Sequence, residues 1–511
     1  MTSITDTLEG LAKSAAVIFL GSVIGRIIGL FGEAIIVRSL APGQFGHIAL
    51  TYTIVSSCGS VALLGVPEGV TRLLSSETNS KNQLKILKSG YLICIFSGIL
   101  SAITIYFLRY RISAVMNDEY LQHYIVLFLP YLLIFPLANV SFAALRAQKR
   151  SFDAVISKNL GARVLALFSL GILLAVGLPS FGAAVYWVSV PFFLALLATR
   201  FVNHDFNVCS VIDEKITQSA ILKLWSFSWP LAFGSMIFLL LSNLDILMIG
   251  YFLEPSSVGY YRAIQPLRQL PTFVLTAFTF FYLPVATEHF VNNRTSELNS
   301  LYRVSTKWII LVTFPPILVF ALFSSSVVQV FFTAEYLPAA PVLSILTAGL
   351  FFRAIVGLDG DMVKAIDRPR IELVSALIGM TANFLLNIML IPRLGIIGAA
   401  VATVIGYFIY NMVEVSAIYY YTGIHPFALK NLKPIVPTLG VAVALMHMTS
   451  GIDLGALGLV IVGILISIAQ IISLVLTHSV EEADLFLIEK AEKQLGRNFT
   501  WVKSTLENFS G

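Results

Sequence analysis

Charge is what this chain has least of. Only 12% of its 511 residues are Asp, Glu, Lys or Arg, where a soluble domain carries about 25%. That excludes a mainly water-facing fold. Cysteine is scarce too: Cys58, Cys94 and Cys209 stand far apart and offer neither a disulfide framework nor a metal-ligand spacing. No Gly-Lys dipeptide occurs, which removes the P-loop and a built-in ATPase. His-Glu-x-x-His, Cys-x-x-Cys and Gly-x-Ser-x-Gly are missing as well, so zinc-hydrolase, dithiol and serine-hydrolase chemistry lack their usual residues. The chain is therefore expected not to be an enzyme and to hold neither a metal nor an organic cofactor. Met1–Leu11 is polar and acidic and the first apolar run is full length, which argues against a cleavable signal.

What remains is hydrophobic from end to end: 57% of the residues are apolar, and mean hydropathy is +0.86. Runs long enough to cross a bilayer, about 20 residues each, recur along the whole sequence. They lie near 15–38, 47–70, 89–108, 121–145, 156–177, 181–201, 225–250, 259–284, 307–331, 339–359, 371–392, 396–420, 432–449 and 454–477. Continuous apolar runs read as helices, because the strands of a membrane barrel would alternate. The expected fold class is an all-α polytopic membrane protein with 14 transmembrane helices.

The two halves resemble each other. Gly21-Ser22 returns as Gly234-Ser235, Pro42 as Pro255 and Gly46 as Gly259, displaced by 213 positions throughout. Arg146-Ala147 and Arg150 are echoed by Lys364-Ala365 and Arg368, and Gly182-Ala183-Ala184 by Gly398-Ala399-Ala400. A membrane chain of two similar halves is the usual plan of a carrier. Six spans per half is an even number, so the repeats are parallel, related about an axis along the membrane normal. The expected organisation is a six-helix lobe at 1–201, a cytoplasmic linker at 202–224 and a second six-helix lobe at 225–420. Two appended helices follow at 421–479, then an amphipathic cytoplasmic tail at 480–511.

Orientation follows the basic residues. With the N-terminus inside, inner loops hold Arg72, Lys81, Lys85, Lys88, Arg146, Lys149, Arg150 and Lys158 in the first half. In the second half they hold Arg294, Arg303, Lys307, Lys364, Arg368 and Arg370. Outer loops offer little beyond Arg38, Arg109, Arg111, Arg262 and Arg393. The expectation is a multi-pass protein of the cytoplasmic (inner) membrane with both termini in the cytoplasm.

Ionisable groups inside spans cost roughly 2.5–3.5 kcal/mol each and usually face a cavity or a partner. Arg26 and Glu33, seven residues apart, share one face of the first span, in the company of Gly25, Gly29 and Gly32. Two readings stay open there: a glycine packing face with an internal ion pair, or a polar stripe lining a cavity. Glu68 and Arg72 are spaced for an i,i+4 pair. Asp245 has no partner near it in sequence. Arg262, Gln265 and Arg268 are punctuated by Pro266 and Pro271, which can break a helix and turn its backbone towards a cavity. Guanidinium groups there suit a phosphate or carboxylate. Arg353, Asp359 and Asp361 mark a later span, while Glu414 and His447 stand alone and receive no role.

These residues carry a family likeness. Gly25-Arg26-Ile27-Ile28-Gly29 through Arg38-Ser39-Leu40-Ala41-Pro42-Gly43-Gln44-Phe45-Gly46 resembles the first-helix signature of polysaccharide-type flippases of the MOP superfamily. So do Leu64-Gly65-Val66-Pro67-Glu68 with Arg72, Asp245–Phe252 leading to Val258-Gly259-Tyr260-Tyr261, and Ile396–Thr403. Lipid II flippases and MATE transporters are relatives within that superfamily. The resemblance implies a two-lobed carrier that moves a polyprenyl-pyrophosphate-linked oligosaccharide across the cytoplasmic membrane by alternating access. Arg26, Arg262, Arg268 and Arg353 would then hold the anionic cargo. Glu33, Glu68, Asp245 and Asp361 would balance that charge or couple transport to an H+ or Na+ gradient. Lipid II flippases carry an arginine where this chain has Gly32, which favours an O-antigen or exopolysaccharide unit as cargo. Implied partners are the lipid-linked oligosaccharide, membrane lipids and the polysaccharide polymerase machinery, with no nucleic acid. Two rivals stand beside this reading. A drug or organic-cation antiporter would want a cavity of carboxylates and aromatics, and a membrane glycosyltransferase or polymerase would want larger outer loops.

Overall fold

The computed structural model describes residues 4–205 and 217–479, and every regular element among them is helical. Eleven of the described helices are long and apolar enough to cross a membrane. The expected spans near 225–250, 259–284 and 432–449 are not among these eleven. The first falls on the 25-residue helix Gln218–Ser242 and the short helix after Asn243, the second on helical pieces separated at Ile264 and Leu270–Thr272, and the third keeps only 14 helical residues, Ile435–Met448. Pro266 and Pro271 sit at the cuts in the second, as their missing N–H groups dictate. The middle of the 202–224 linker and the 480–511 tail lie outside the described residues.

By packing, the chain divides into two compact units, Met1–Ala263 and Ile264–Gly511. The first holds α1 (Ile4–Ser39), α2 (Pro42–Val61), α3 (Val66–Ser76), α4 (Ser80–Val115), α5 (Leu121–Ala147) and α6 (Ser151–Val155). A π-helical turn at Ile156–Gly161 leads into α7 (Ala162–Ala175), followed by α8 (Pro179–Asp205), α9 (Gln218–Ser242), α10 (Leu244–Phe252) and α11 (Pro255–Ala263). Helices α9 to α11 belong to this unit because α9 packs on α3 and α4, and α11 lies along α2. The sequence repeat, by contrast, divides the chain by resemblance and not by packing.

Small residues set the helix contacts here. A methyl group at Gly21 would strike Val155, one at Gly25 the Asn159 backbone, and one at Gly29 the Arg163 guanidinium. The step is four residues on both sides, so α1 runs in the same direction as the Val155–Arg163 stretch and lies close against it. The glycine run is thus a packing face. Between α2 and α3 the chain turns at Leu64 and Gly65, both at positive φ. Gly65 is required there, since a side chain would meet the Ser228 carbonyl and Ala232 N–H of α9. The Ala62 carbonyl freed by this break accepts a 2.6 Å hydrogen bond from Ser97 Oγ, which keeps a backbone acceptor satisfied away from water. At the start of α2, His47 Nδ1 lies 2.7 Å from Asp118 Oδ2 in the turn after α4, and the Tyr120 N–H donates to Asp118 Oδ1.

One intimate helix contact joins repeat-equivalent residues. A Cβ at Gly46 would meet the Pro255 carbonyl, and a Cβ at Gly259 would meet the Pro42 carbonyl. Pro42 and Pro255 are 213 positions apart, as are Gly46 and Gly259. The contact is reciprocal, as a two-fold relation between α2 and α11 requires.

The second unit holds α12 (Gln265–Arg268), α13 (Phe273–Val291), α14 (Thr295–Leu322), α15 (Ser324–Phe331), α16 (Ala340–Val356) and α17 (Asp359–Ala365). After these come α18 (Pro369–Leu394), α19 (Ile396–Thr422), α20 (Leu429–Leu432), α21 (Ile435–Met448) and α22 (Gly455–Leu476). Its core gathers Tyr302 and Ile309 of α14, Met362 and Val363 of α17, and Ile418 of α19. Between α16 and α17 the chain breaks at Gly357, φ +75°, where a side chain would strike Thr306. Tyr302 Oη donates 2.8 Å to the Val356 carbonyl left open at that break.

Candidate functional site

In the first unit a polar cluster is built on α1, α7, α8 and α11. Glu33 follows Gly29 by one turn on the packed face of α1, and its carboxylate turns inward. Glu33 Oε1 accepts 2.9 Å from Arg262 Nη2 and 3.2 Å from Trp187 Nε1. Both side chains of the ion pair are 14% exposed, and Glu33 Oε2 is buried without a hydrogen-bond partner. Arg26 lies on the exposed side of α1. The ion pair of Glu33 is therefore made with Arg262 of α11 and not with the arginine seven residues back.

Aromatic rings frame this pair. Trp187 stacks on Tyr52 at 4.6 Å and 19°, Tyr52 meets Tyr131 edge-on at 5.8 Å, and the Arg262 guanidinium lies 5.7 Å from the Trp187 ring. Gly32 leaves room for the Tyr186 hydroxyl. Beside the pair sits Arg163, which sequence reasoning missed. Its guanidinium fills the space at Gly29, and its Nε is buried with no hydrogen-bond partner among the described residues. Arg163 lies two residues after the π-helical turn, a kind of irregularity that recurs at functional sites. One signal could have found it: glycines at every fourth position of α1 announce a bulky neighbour. The outcome is a site with two guanidinium groups and one carboxylate, an excess of positive charge inside an apolar unit.

Other expected site residues fall elsewhere. Asp245 accepts 2.9 Å from the buried Tyr261 hydroxyl, so the carboxylate that lacked a sequence neighbour has a partner on α11. Glu68 and Arg72 are both exposed. Arg72 lies 4.8 Å over the Phe227 ring instead of closing the expected i,i+4 pair, because α9 passes alongside and offers an aromatic face. Arg268, Arg353 and Asp361 belong to the second unit. Arg268 ends the short α12 and is half-buried, Arg353 is exposed near the end of α16, and Asp361 is half-buried on α17. Asp359, which marked a later span in sequence, and Glu414, which received no role there, are both buried. Among the described residues no group of three or more His, Cys, Asp or Glu could hold a metal ion.

An all-helical, multi-pass membrane protein with repeat-related helices and charged groups buried within its units belongs to the class of membrane carriers. The chain is a member of the family described as polysaccharide biosynthesis protein, whose pattern matches residues 35–341. It is 23% identical to the "Probable flippase AglR" of Haloferax volcanii, over 83% of this chain and 85% of that one. It is 31% identical to an uncharacterized membrane protein of Methanocaldococcus jannaschii, over 38% of this chain, and spans only 39% of the length of that relative. Among solved structures it resembles the lipid II flippase MurJ in an inward closed conformation, with a TM-score of 0.70 at 16% identity, over 89% of this chain and 98% of that one. The fold is thus the one seen in that flippase.

Proposed function

We propose that this protein is a flippase that moves a polyprenyl-pyrophosphate-linked oligosaccharide, such as an O-antigen or exopolysaccharide unit, across the cytoplasmic membrane by alternating access. The observation that carries this reading is the Glu33–Arg262–Arg163 cluster. Glu33 neutralises only one of two neighbouring guanidinium groups, and the surplus positive charge suits an anionic pyrophosphate. A carrier of organic cations would want the opposite surplus. Names among the relatives point the same way, towards flippases and lipid II. Arg26, Arg268 and Arg353 add cationic groups along the path of the cargo, and Glu68, Asp245 and Asp361 balance charge or serve gradient coupling. Glu33 holds Arg262 in place with one oxygen and keeps the other available. Both termini lie in the cytoplasm, and the polymerase that extends the glycan receives the delivered unit.

Reconstitution tests this. Proteoliposomes carrying a fluorescent undecaprenyl-pyrophosphate oligosaccharide should show protein-dependent transfer between leaflets, read by membrane-impermeant quenching. Arg163→Ala should slow transfer at unchanged protein abundance, and Arg163→Lys should restore little, since it lacks the planar fork. Transfer of organic cations without transfer of the lipid-linked glycan would refute the reading.

A further inference from the structure

One turn occurs in both units, and its two copies are neutralised differently. In the first unit it follows α5. Lys149 stands at φ +58°, its N–H donates 3.0 Å to the Arg146 carbonyl, and the Arg150 N–H donates 3.1 Å to the Leu145 carbonyl. In the second unit it follows α17. Asp367 stands at φ +57°, its N–H donates 3.1 Å to the Lys364 carbonyl, and the Arg368 N–H donates 3.0 Å to the Val363 carbonyl. Both are helix ends closed by a residue in the left-handed region. Every residue of the second turn lies 218 positions after its counterpart, so Arg150 and Arg368 correspond in structure as they do in sequence.

Arg150 finds its counter-charge close by. Its Nε donates 2.5 Å to Asp153 Oδ2, and its Nη1 donates 2.9 Å to the Phe201 carbonyl of α8. In the second unit the position of Asp153 is taken by Ile371, which packs against the core. Arg368 consequently makes no ion pair among the described residues, and its guanidinium lies 4.5 Å over the Tyr421 ring. Lys364 Nζ is 3.0 Å from Glu372 Oε1, so those two charges cancel. Between residues 364 and 372 that leaves the exposed Arg368 and Arg370 against Asp367, one positive charge in surplus.

The surroundings are those of a membrane surface. Two bilayer-length helices meet here, Pro369–Leu394 at its start and Ile396–Thr422 at its end. Tyr420 is 82% exposed and stands edge-on to Tyr421 at 5.1 Å, as suits side chains at head-group level. One to two turns beyond Arg370, Leu373, Val374, Leu377 and Ile378 are exposed on α18. Their three-and-four spacing lays an apolar stripe along the helix.

We propose that Arg368 and Arg370 dock the head-group phosphate of an anionic phospholipid, with an acyl chain along the α18 stripe. The lipid phosphate stands where the first unit uses Asp153. A guanidinium gives phosphate oxygens paired, charge-assisted donors, while its face rests on Tyr421. A phosphodiester brings a single negative charge, which matches the single surplus charge of this turn; a pyrophosphate would bring more than the turn can balance. The site shares no residue with the Glu33–Arg262–Arg163 cluster and does not depend on what the protein carries.

The test uses the full chain in phosphatidylcholine proteoliposomes doped with a photoactivatable phosphatidylglycerol, the labelled peptides being mapped by mass spectrometry. Labelling should fall on residues 366–378 and 419–422, and unlabelled phosphatidylglycerol should displace it where extra phosphatidylcholine does not. Arg368→Gln should lower it about fivefold, the contribution of one basic residue at an anionic surface. Ile371→Asp should lower it as far, because it gives Arg368 the carboxylate that Arg150 already has. Circular dichroism and a thermal melt check that both variants fold, and Arg368→Gln, on the surface, carries the test alone if Ile371→Asp does not. Unchanged labelling in Arg368→Gln, or equal displacement by phosphatidylcholine, would overturn the proposal. So would displacement by undecaprenyl pyrophosphate at a lower concentration than phosphatidylglycerol requires, which would assign the site to a lipid-linked cargo instead.

Discussion

At the scale of residues, the buried charge of the first unit was half legible. Glu33 stands out in sequence because a carboxylate inside an apolar run must find a partner. Its partner did not, because Arg262 is 229 positions away, and no spacing rule reaches across that distance. Asp245 and Tyr261 hid from each other through the break between α10 and α11. Arg163, inside the expected span near 156–177, carried the same signal, a charge within an apolar run, and was not singled out. The pairing makes a direct prediction. Arg262→Ala should lower stability by about 2–3 kcal/mol, because Glu33 would keep a buried charge with only an indole donor. Thermal unfolding in detergent reads that loss. Adding Glu33→Gln should recover most of it, and an unchanged Tm for Arg262→Ala alone would show that the pair contributes nothing.

At the scale of elements, hydropathy located the helices well because burial in lipid demands long apolar stretches. It overstated continuity where proline or glycine interrupts them. Pro266 and Pro271 announced their breaks; Gly357 did not, because a lone glycine in an apolar run is more often a packing residue. The contact between α2 and α11 supplies a controlled prediction. Gly46→Ala should cost about 1–3 kcal/mol through overpacking, since its methyl group would meet the Pro255 carbonyl. Gly43→Ala, in the same first turn but with open space around it, should be neutral within the error of a thermal melt. The turn after α4 offers another: Asp118→Asn should lower Tm, because Asp118 receives both the His47 ring and the Tyr120 N–H.

At the scale of the molecule, the repeat and the distribution of Lys and Arg make a topology prediction. Reporter fusions after Ser80, His204 and Ser479 should read cytoplasmic, and fusions near Leu253 and Gly451 external. An external reading at His204 would contradict six spans in the first repeat. One of the places where the repeat was legible is a contact between the two halves. Between Pro42 and Gly46 the first half reads Gly43-Gln44-Phe45, and the corresponding stretch of the second reads Ser256-Ser257-Val258. The intervening residues have drifted apart, yet the flanking proline and glycine have not.

The reciprocal geometry gives the reason. The Pro255 carbonyl lies against Gly46 and the Pro42 carbonyl against Gly259, so a side chain added to either glycine would press on the other half. It also makes the first half self-complementary. A half-length protein carrying only Pro42 and Gly46 already owns both sides of the contact, so two copies of it have the means to pair through the same patch.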